Sequence, residues 1–184
     1  MSDSSPSLLP PLRRVVTTHD AQGLAIVESS VLLEPERMAA VQGAQSAAIW
    51  VTTDGLPVND NNTCDDGAKR VIDDASNFGL VHPLGTNLRS TELEPEAVTP
   101  MHRTSSLDYN ILVSGELVLI TEDGTETHLK NPGDTVIQRG TMHAWKNPSK
   151  TQPTRWISVL VAAKPAAVNG EPLTPQFLPY KPKA

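Results

Sequence analysis

Proline and glycine set the tightest limit on what this chain can become. There are 16 prolines and 11 glycines in 184 residues. Between residues 85 and 163 they fall, together with Asn and Asp, at the ends of short apolar runs. Such runs lie at 87–93, 97–104, 108–114, 116–121, 125–130, 134–138, 142–147 and 155–163. Glu94-Pro95-Glu96, Asp123-Gly124, Asn131-Pro132-Gly133 and Arg139-Gly140 stand between them. Short strands separated by turn chemistry at this spacing predict an antiparallel sandwich or barrel, and the punctuation is too frequent for a helical bundle. The fold class is all-β.

Composition supports one domain with modest extensions. Hydrophobic residues make up 38% of the chain and charged residues 20%, enough for a core, but aromatics are only 4%. The core is therefore built from Val, Ile, Leu and Ala, and no run has the length a bilayer demands, so no membrane partner is expected. A net charge of -6 argues against a protein that tracks nucleic-acid phosphates. The single cysteine, Cys64, excludes an intrachain disulfide and a cysteine-rich zinc site. It sits in Asn59–Gly67 with no histidine nearby, which reads as a bystander thiol. The first residues lack the basic start of a secretory signal, so a cytoplasmic location is expected and Asn61-Asn62-Thr63 reads as a chance glycosylation triplet.

Four regions follow along the chain. Residues 1–11 are Ser/Pro-rich and read as a flexible arm. Residues 12–84 hold N-terminal strands, one short helix and a lid-like loop. Leu12–Thr18 and Leu24–Val27 flank a Gly-containing loop and predict a hairpin, and Pro35–Val41, with proline and acids in its first turn and Gly43 beyond it, predicts the helix. Ala47–Thr53 reads as a strand carrying Trp50. Residues 54–80 are rich in Gly, Pro, Asn and Asp, and a connection that long predicts a lid over or beside the barrel mouth. Residues 85–163 form the barrel. Residues 164–184 carry five prolines between Pro165 and Pro182 and predict an extended strap, anchored on the outside by Leu173, Phe177, Leu178 and Tyr180. The apolar hairpin at the chain start needs a cover, and a second copy of the sheet edge is a ready one, so a homodimer is expected.

His19, His82 and His128 lie in loop or surface contexts and read as solvated. His102 and His143 stand in company. The first segment is Pro100-Met101-His102-Arg103-Thr104-Ser105-Ser106-Leu107-Asp108-Tyr109, running on to Gly115. The second is Gly133-Asp134-Thr135-Val136-Ile137-Gln138-Arg139-Gly140-Thr141-Met142-His143-Ala144-Trp145-Lys146-Asn147. These resemble the two motifs of the cupin superfamily, and more narrowly the single-domain small cupins found with microbial and fungal polyketide biosynthetic genes. In the first motif His102, Asp108 and Gly115 fall in register, with Thr104 where the family places a second histidine and Asp108 where it places glutamate. In the second, Gly133, His143 and Asn147 match, while Arg139-Gly140-Thr141 replaces a Pro-x-Gly turn and is one residue shorter.

The resemblance implies a double-stranded β-helix, a jelly-roll barrel open at one end, with an N-terminal hairpin extension and one short helix. It also implies that His102, Asp108 and His143 project into the mouth. Two imidazoles and a carboxylate form a face that can hold one divalent ion (Zn, Fe, Mn or Ni) with open positions for substrate. The same trio without an ion is a hydrogen-bonded polar cluster, and both readings stand at this stage. Arg89, on the strand entering the first motif, is either a surface arginine or an inward one that binds a substrate carboxylate or enolate oxygen. Trp145 shares the parity of His143 and walls the pocket or packs beneath the sheet; Trp50 and Trp156 read as core, and Tyr109 points outward. The implied function is an enzyme on a small-molecule substrate of secondary, polyketide-type metabolism. Its chemistry is of the lyase or isomerase type: dehydration, decarboxylation, aldol closure or cyclisation, with His102, Asp108, His143 and Arg89 as the catalytic set. The alternatives are a metal-dependent dioxygenase and a non-catalytic ligand-binding cupin.

Overall fold

A computed structural model describes residues 9–19, 21–22 and 24–181. Most of the arm expected over 1–11, and Asp20 and Gly23 of the hairpin loop, lie outside the described residues. In chain order the strands are β1 (Arg13–His19), β2 (Ala25–Leu32), β3 (Glu36–Arg37), β4 (Ala44–Thr52) and β5 (Thr86–Leu93). Next come β6 (Met101–Arg103), β7 (Ser106–Ser114), β8 (Leu117–Thr121), β9 (Glu126–Leu129) and β10 (Thr135–Arg139). The last are β11 (His143–Lys146), β12 (Thr154–Ala162), β13 (Ala167–Val168), β14 (Glu171–Pro172) and β15 (Gln176–Leu178).

Two sheets make the body. One runs β10-β7-β12-β5-β4-β3 and the other β15-β6-β11-β8-β9. All pairings are antiparallel. The main core cluster draws Ala44, Leu93, Leu112 and Trp156 from the first sheet and Leu117, Leu129 and Trp145 from the second, so the sheets face each other as a jelly roll. The inward positions of β7 explain how one end stays open. Ser106, Asp108 and Asn110 precede Leu112 on the same face, so the interior is polar at one end and sealed by hydrocarbon at the other. A fully buried leucine of this kind stabilises the fold by about 2–3 kcal/mol over an exposed one.

Two motif residues are structural. Gly115 turns β7 into β8 at φ +76°, and a Cβ there would stand 2.8 Å from the Pro153 carbonyl oxygen. Asn147 is fully buried, with its amide nitrogen 3.2, 3.0 and 2.8 Å from the Leu93, Glu94 and Gln152 carbonyls. On the β5–β12 pair, register partners Glu92 and Arg155 form a buried ion pair at 2.5 Å.

Several expectations need correction. No α-helix forms over Pro35–Val41: Glu36 and Arg37 pair with Ser46 and Gln45, and the chain then turns so that Met38 N–H bonds the Ala44 carbonyl. The helical content among the described residues is three 3-10 turns at Asp60–Asn62, Gly67–Lys69 and Ala75–Asn77. These lie in the segment expected to be a lid, and most of it is pinned around Trp50 instead. Asp66 holds Arg14 through two bonds of 2.7 Å, Arg70 reaches the Val51 carbonyl and Asp60, and Gly67 lies against the indole, which is half-buried rather than core. Only Asn77–Leu80 reaches the mouth, where Asn77 Oδ1 accepts from Ser105 N–H and the Leu80 carbonyl from Asn87.

The C-terminal strap, expected to be extended, turns back on itself in the β13–β14 hairpin, and it is not merely external. β15 pairs with β6, placing Phe177 opposite His102, while Tyr180 covers a small cluster of Val118, Ile120 and Ala144. The hairpin β1–β2 forms a sheet of its own, with Val15, Ile26, Val27, Val31 and Leu32 exposed. Among the described residues, no helix is long and apolar enough to cross a membrane.

Candidate active site

The two motif histidines are register partners on neighbouring strands, His102 on β6 and His143 on β11. Directly opposed residues in an antiparallel pair share a face, so the rings lie side by side, 4.2 Å apart at a 48° tilt. Each ring is fixed by a local backbone bond. His102 Nδ1–H donates to the Pro100 carbonyl at 2.9 Å and His143 Nδ1–H to the Thr141 carbonyl at 3.0 Å. That fixes the tautomer and leaves Nε2 as the nitrogen with the lone pair.

Burial sets their charge. Desolvation pulls His102 below the usual histidine range, against the opposing pull of the Pro100 carbonyl. His143 is pulled down to about 3 by desolvation and then by the neighbouring His102, with the Thr141 and His102 backbone carbonyls acting the other way. Both imidazoles are neutral in the physiological range.

Asp108 comes from β7 on the opposing sheet. It is 5% exposed, and its Oδ1 has no hydrogen-bond partner. Burial pushes its carboxyl up to about 6, only partly offset by a hydrogen bond from Ser106. Thr104, where the family pattern places a histidine, is buried, and its hydroxyl pairs with that of Ser106 at 2.8 Å. The site thus has a hydroxyl pair leading to a carboxyl in place of a third imidazole.

Arg89 on β5 also turns inward. Its Nε and Nη2 donate to Ser46 Oγ at 2.9 and 2.7 Å, and burial lowers its proton affinity. All four expected residues line one cavity of about 80 Å3 between the sheets. Trp145 and Trp156 form its floor side, with Trp145 edge-on to His143 and 5.8 Å from Trp156. Met38, Leu80 and Phe177 come from connecting segments and the strap, and Phe177 lies 6.0 Å from His102 and 5.4 Å from Phe78. A larger hollow of about 630 Å3 lies under the hairpin beside Trp50, away from this constellation.

Sequence reasoning missed Asn110, Ser158 and Phe177 as cavity residues. Asn110 is two residues beyond Asp108, so strand alternation was signal enough. Ser158 and Ser46 depend on cross-strand register, and Phe177 on the strap's pairing with β6; neither is written in local pattern.

Two neutral imidazoles with fixed tautomers suit an ion, but among the described residues no group of three His, Cys, Asp or Glu side chains is gathered closely enough to hold one. Asp108 faces the histidines without completing a three-donor site, and Thr104 supplies no imidazole.

The family model for the cupin domain matches residues 89–160, the stretch that carries both motifs. The chain is 34% identical over 174 residues to phomopsin biosynthesis cluster protein D of Diaporthe leptostromiformis, covering 91% of this chain and 86% of that protein. It is 30% identical over 170 residues to the cupin-domain-containing oxidoreductase srdB of Neurospora crassa, covering 92% of this chain and 82% of that one. Among solved structures, the polyketide cyclase RemF of Streptomyces resistomycificus aligns over 70% of this chain and 72% of its own, with 16% identity and a TM-score of 0.46. The full-length similarity to these fungal proteins, together with the matched domain, shows that the chain belongs to the cupin-domain family.

Proposed function

We propose that this protein is an enzyme of secondary metabolism that moves a proton on a small organic substrate without oxidising it, a lyase or isomerase acting in the barrel cavity. The observation that carries the reading is the opposition of Asp108 to two neutral imidazoles. A carboxyl held at about 6 both gives and takes a proton near neutral pH, which is what acid–base catalysis requires. An imidazole held at about 3 is a poor base but a firm hydrogen-bond acceptor through Nε2. In this division Asp108 transfers the proton, while His102 and His143 orient a substrate hydroxyl or enol. Dehydration, decarboxylation and aldol closure all need one proton moved beside a carbonyl, and the sequence relation to a biosynthesis cluster protein is consistent with such steps. The cavity of about 80 Å3 is smaller than the ~300–1,000 Å3 of common ligand pockets. A substrate of more than a few heavy atoms therefore has to displace Leu80 or Phe177 at the mouth.

The test is exchange of the α-protons of small 3-oxo acids, such as acetoacetate, in D2O, followed by proton NMR. Wild-type protein should accelerate exchange, and Asp108→Asn should reduce it by about 100-fold or more. Exchange at the wild-type rate in Asp108→Asn would refute the assignment. No acceleration of any 3-oxo acid, with saturable binding retained, would leave a ligand-binding cupin.

A second reading is favoured by the relatives named oxidoreductases. In it the burial that keeps His102 and His143 unprotonated prepares them as nitrogen ligands for a divalent ion. Such an ion would supply Lewis-acid or redox chemistry when bound. Metal analysis after exposure to Fe(II), Zn(II), Mn(II) or Ni(II) separates the two. Stoichiometric uptake that is lost in His102→Gln and His143→Gln supports the ion.

A further inference from the structure

Arg89 is a half-buried cation, turned inward and without an anion. Its Nε and Nη2 both converge on one neutral hydroxyl, Ser46 Oγ, which itself donates to the Ser90 carbonyl at 2.7 Å. Among the described residues, no carboxylate lies within ion-pair distance of the guanidinium. Asp108 is the one carboxyl lining the same cavity, and it makes no such pair. Taking a guanidinium out of water without an opposite charge is costly. A neutral hydroxyl returns little of that cost.

A second donor lies in the same row of the sheet. Ser158 on β12 is the register partner of Arg89 on one side and of Asn110 on the other. Ser158 Oγ–H donates to Asn110 Oδ1 at 2.6 Å, which turns the amide so that Asn110 Nδ2 is buried with no acceptor. Buried N–H groups are almost always paired, and an orphan one calls for an explanation. Here one cationic and one amide donor line a single cavity, and both lack a protein acceptor suited to them.

We propose that Arg89 and Asn110 form an anion subsite for the carboxylate or enolate oxygen of the substrate, which restricts the enzyme to small organic acids or to substrates that become enolates. This deepens, and rests on, the reading of the cavity as a substrate site. The guanidinium supplies the counter-charge, Asn110 Nδ2–H supplies a directed donor, and Ser46 and Ser158 hold the two in place. Fixed donors of this kind cost no reorganisation when negative charge develops on oxygen. The protein's positive end of the cavity would thus lie on the large sheet, across from the imidazole pair.

The test uses full-length protein and acetate, with acetamide as its neutral isostere, at ionic strength balanced by a bulky sulfonate salt. Binding is read from the fluorescence of Trp145 and Trp156, which line the cavity. Wild-type protein should bind acetate at least about tenfold more tightly than acetamide. Arg89→Gln should bring the ratio to about one, and Arg89→Lys should retain part of it. Ser46→Ala keeps the charge but frees the guanidinium, and should weaken acetate binding while leaving acetate the preferred probe. Equal binding of the two probes, absence of saturable binding for both, or a preference that survives Arg89→Gln would overturn the subsite. Because acetate binding needs no turnover, Asp108→Asn should keep the preference for acetate even as it loses proton exchange. An acetate preference in a protein that exchanges no 3-oxo acid would sink the catalytic reading and leave the anion subsite standing.

Discussion

Asp108→Asn should stabilise this protein, and by an amount that depends on pH. The Asp108 carboxyl is 5% exposed and moves from an ordinary 3.8 to about 6 on folding. At roughly 1.36 kcal/mol per pKa unit, a rise of about 2 units means that ionised Asp108 costs about 3 kcal/mol in the folded state. Between about pH 4 and 6 the native state binds more protons than the unfolded one, so stability falls as pH rises. This group's cost is absent below its unfolded pKa and complete above about pH 6. An amide cannot ionise, so the variant escapes it. Relative to wild type, Asp108→Asn should gain about 3 kcal/mol more at pH 7.5 than at pH 4. For a chain of this size that is a gain of about 6–12 °C in Tm. Urea unfolding of both proteins at pH 4, 6 and 7.5 measures it. A variant-minus-wild-type difference that is the same at all three pH values would refute the reasoning.

The same scan tests His143 with the opposite sign. Its folded pKa is depressed to about 3, so its stability is present above about pH 6.5 and drains as pH falls toward that value. His143→Gln should therefore lose less stability than wild type between pH 6.5 and 4.5. The Glu92–Arg155 pair is buried on both sides, and Arg155→Ala should cost about 3–5 kcal/mol by taking the guanidinium away from the buried Glu92 carboxylate. The double change Glu92→Leu with Arg155→Met should recover most of that loss in chemical denaturation. The exposed face of β1–β2, with Val15, Val27 and Leu32, should be covered in a homodimer. Light scattering at micromolar concentration should give twice the chain mass, removal of residues 1–30 should yield monomer or aggregate, and a full-length monomer would refute it.

How much of this was legible follows from where the physics is local. The barrel strands were readable because each is half-buried and alternates. β7, with Asp108 inward and Tyr109 40% exposed, is the clearest case. The histidine pair was readable from the two motifs, and alternation allowed Arg89 an inward place. The helix over Pro35–Val41 failed because the capping pattern described a local preference that the sheet overrode. Edge pairing with β4 satisfied the backbone of Glu36 and Arg37, and the turn that follows carries Val41 into the core and Met38 against it. Trp50 was misplaced because β4 shifts register between Ala48 and Trp50. The indole there lies between Arg14 and Arg70, 5.8 and 5.9 Å from its ring. Phe177 was read as an outside anchor because nothing in a proline-rich tail announces that it pairs with β6. Ser46 and Ser158 gained their meaning from register alone.

A carboxyl poised near neutral pH faces two imidazoles that burial keeps uncharged. A pH titration by NMR, following the Asp108 carboxyl carbon and the ring nitrogens of His102 and His143, measures this without any substrate. The predicted result is a carboxyl transition at about pH 6, with His143 still a neutral Nδ1–H tautomer at pH 5 and His102 taking up its proton only below the usual histidine range. A carboxyl already ionised at pH 4.5, or rings that take up protons near 6.5 as free histidine does, would contradict it.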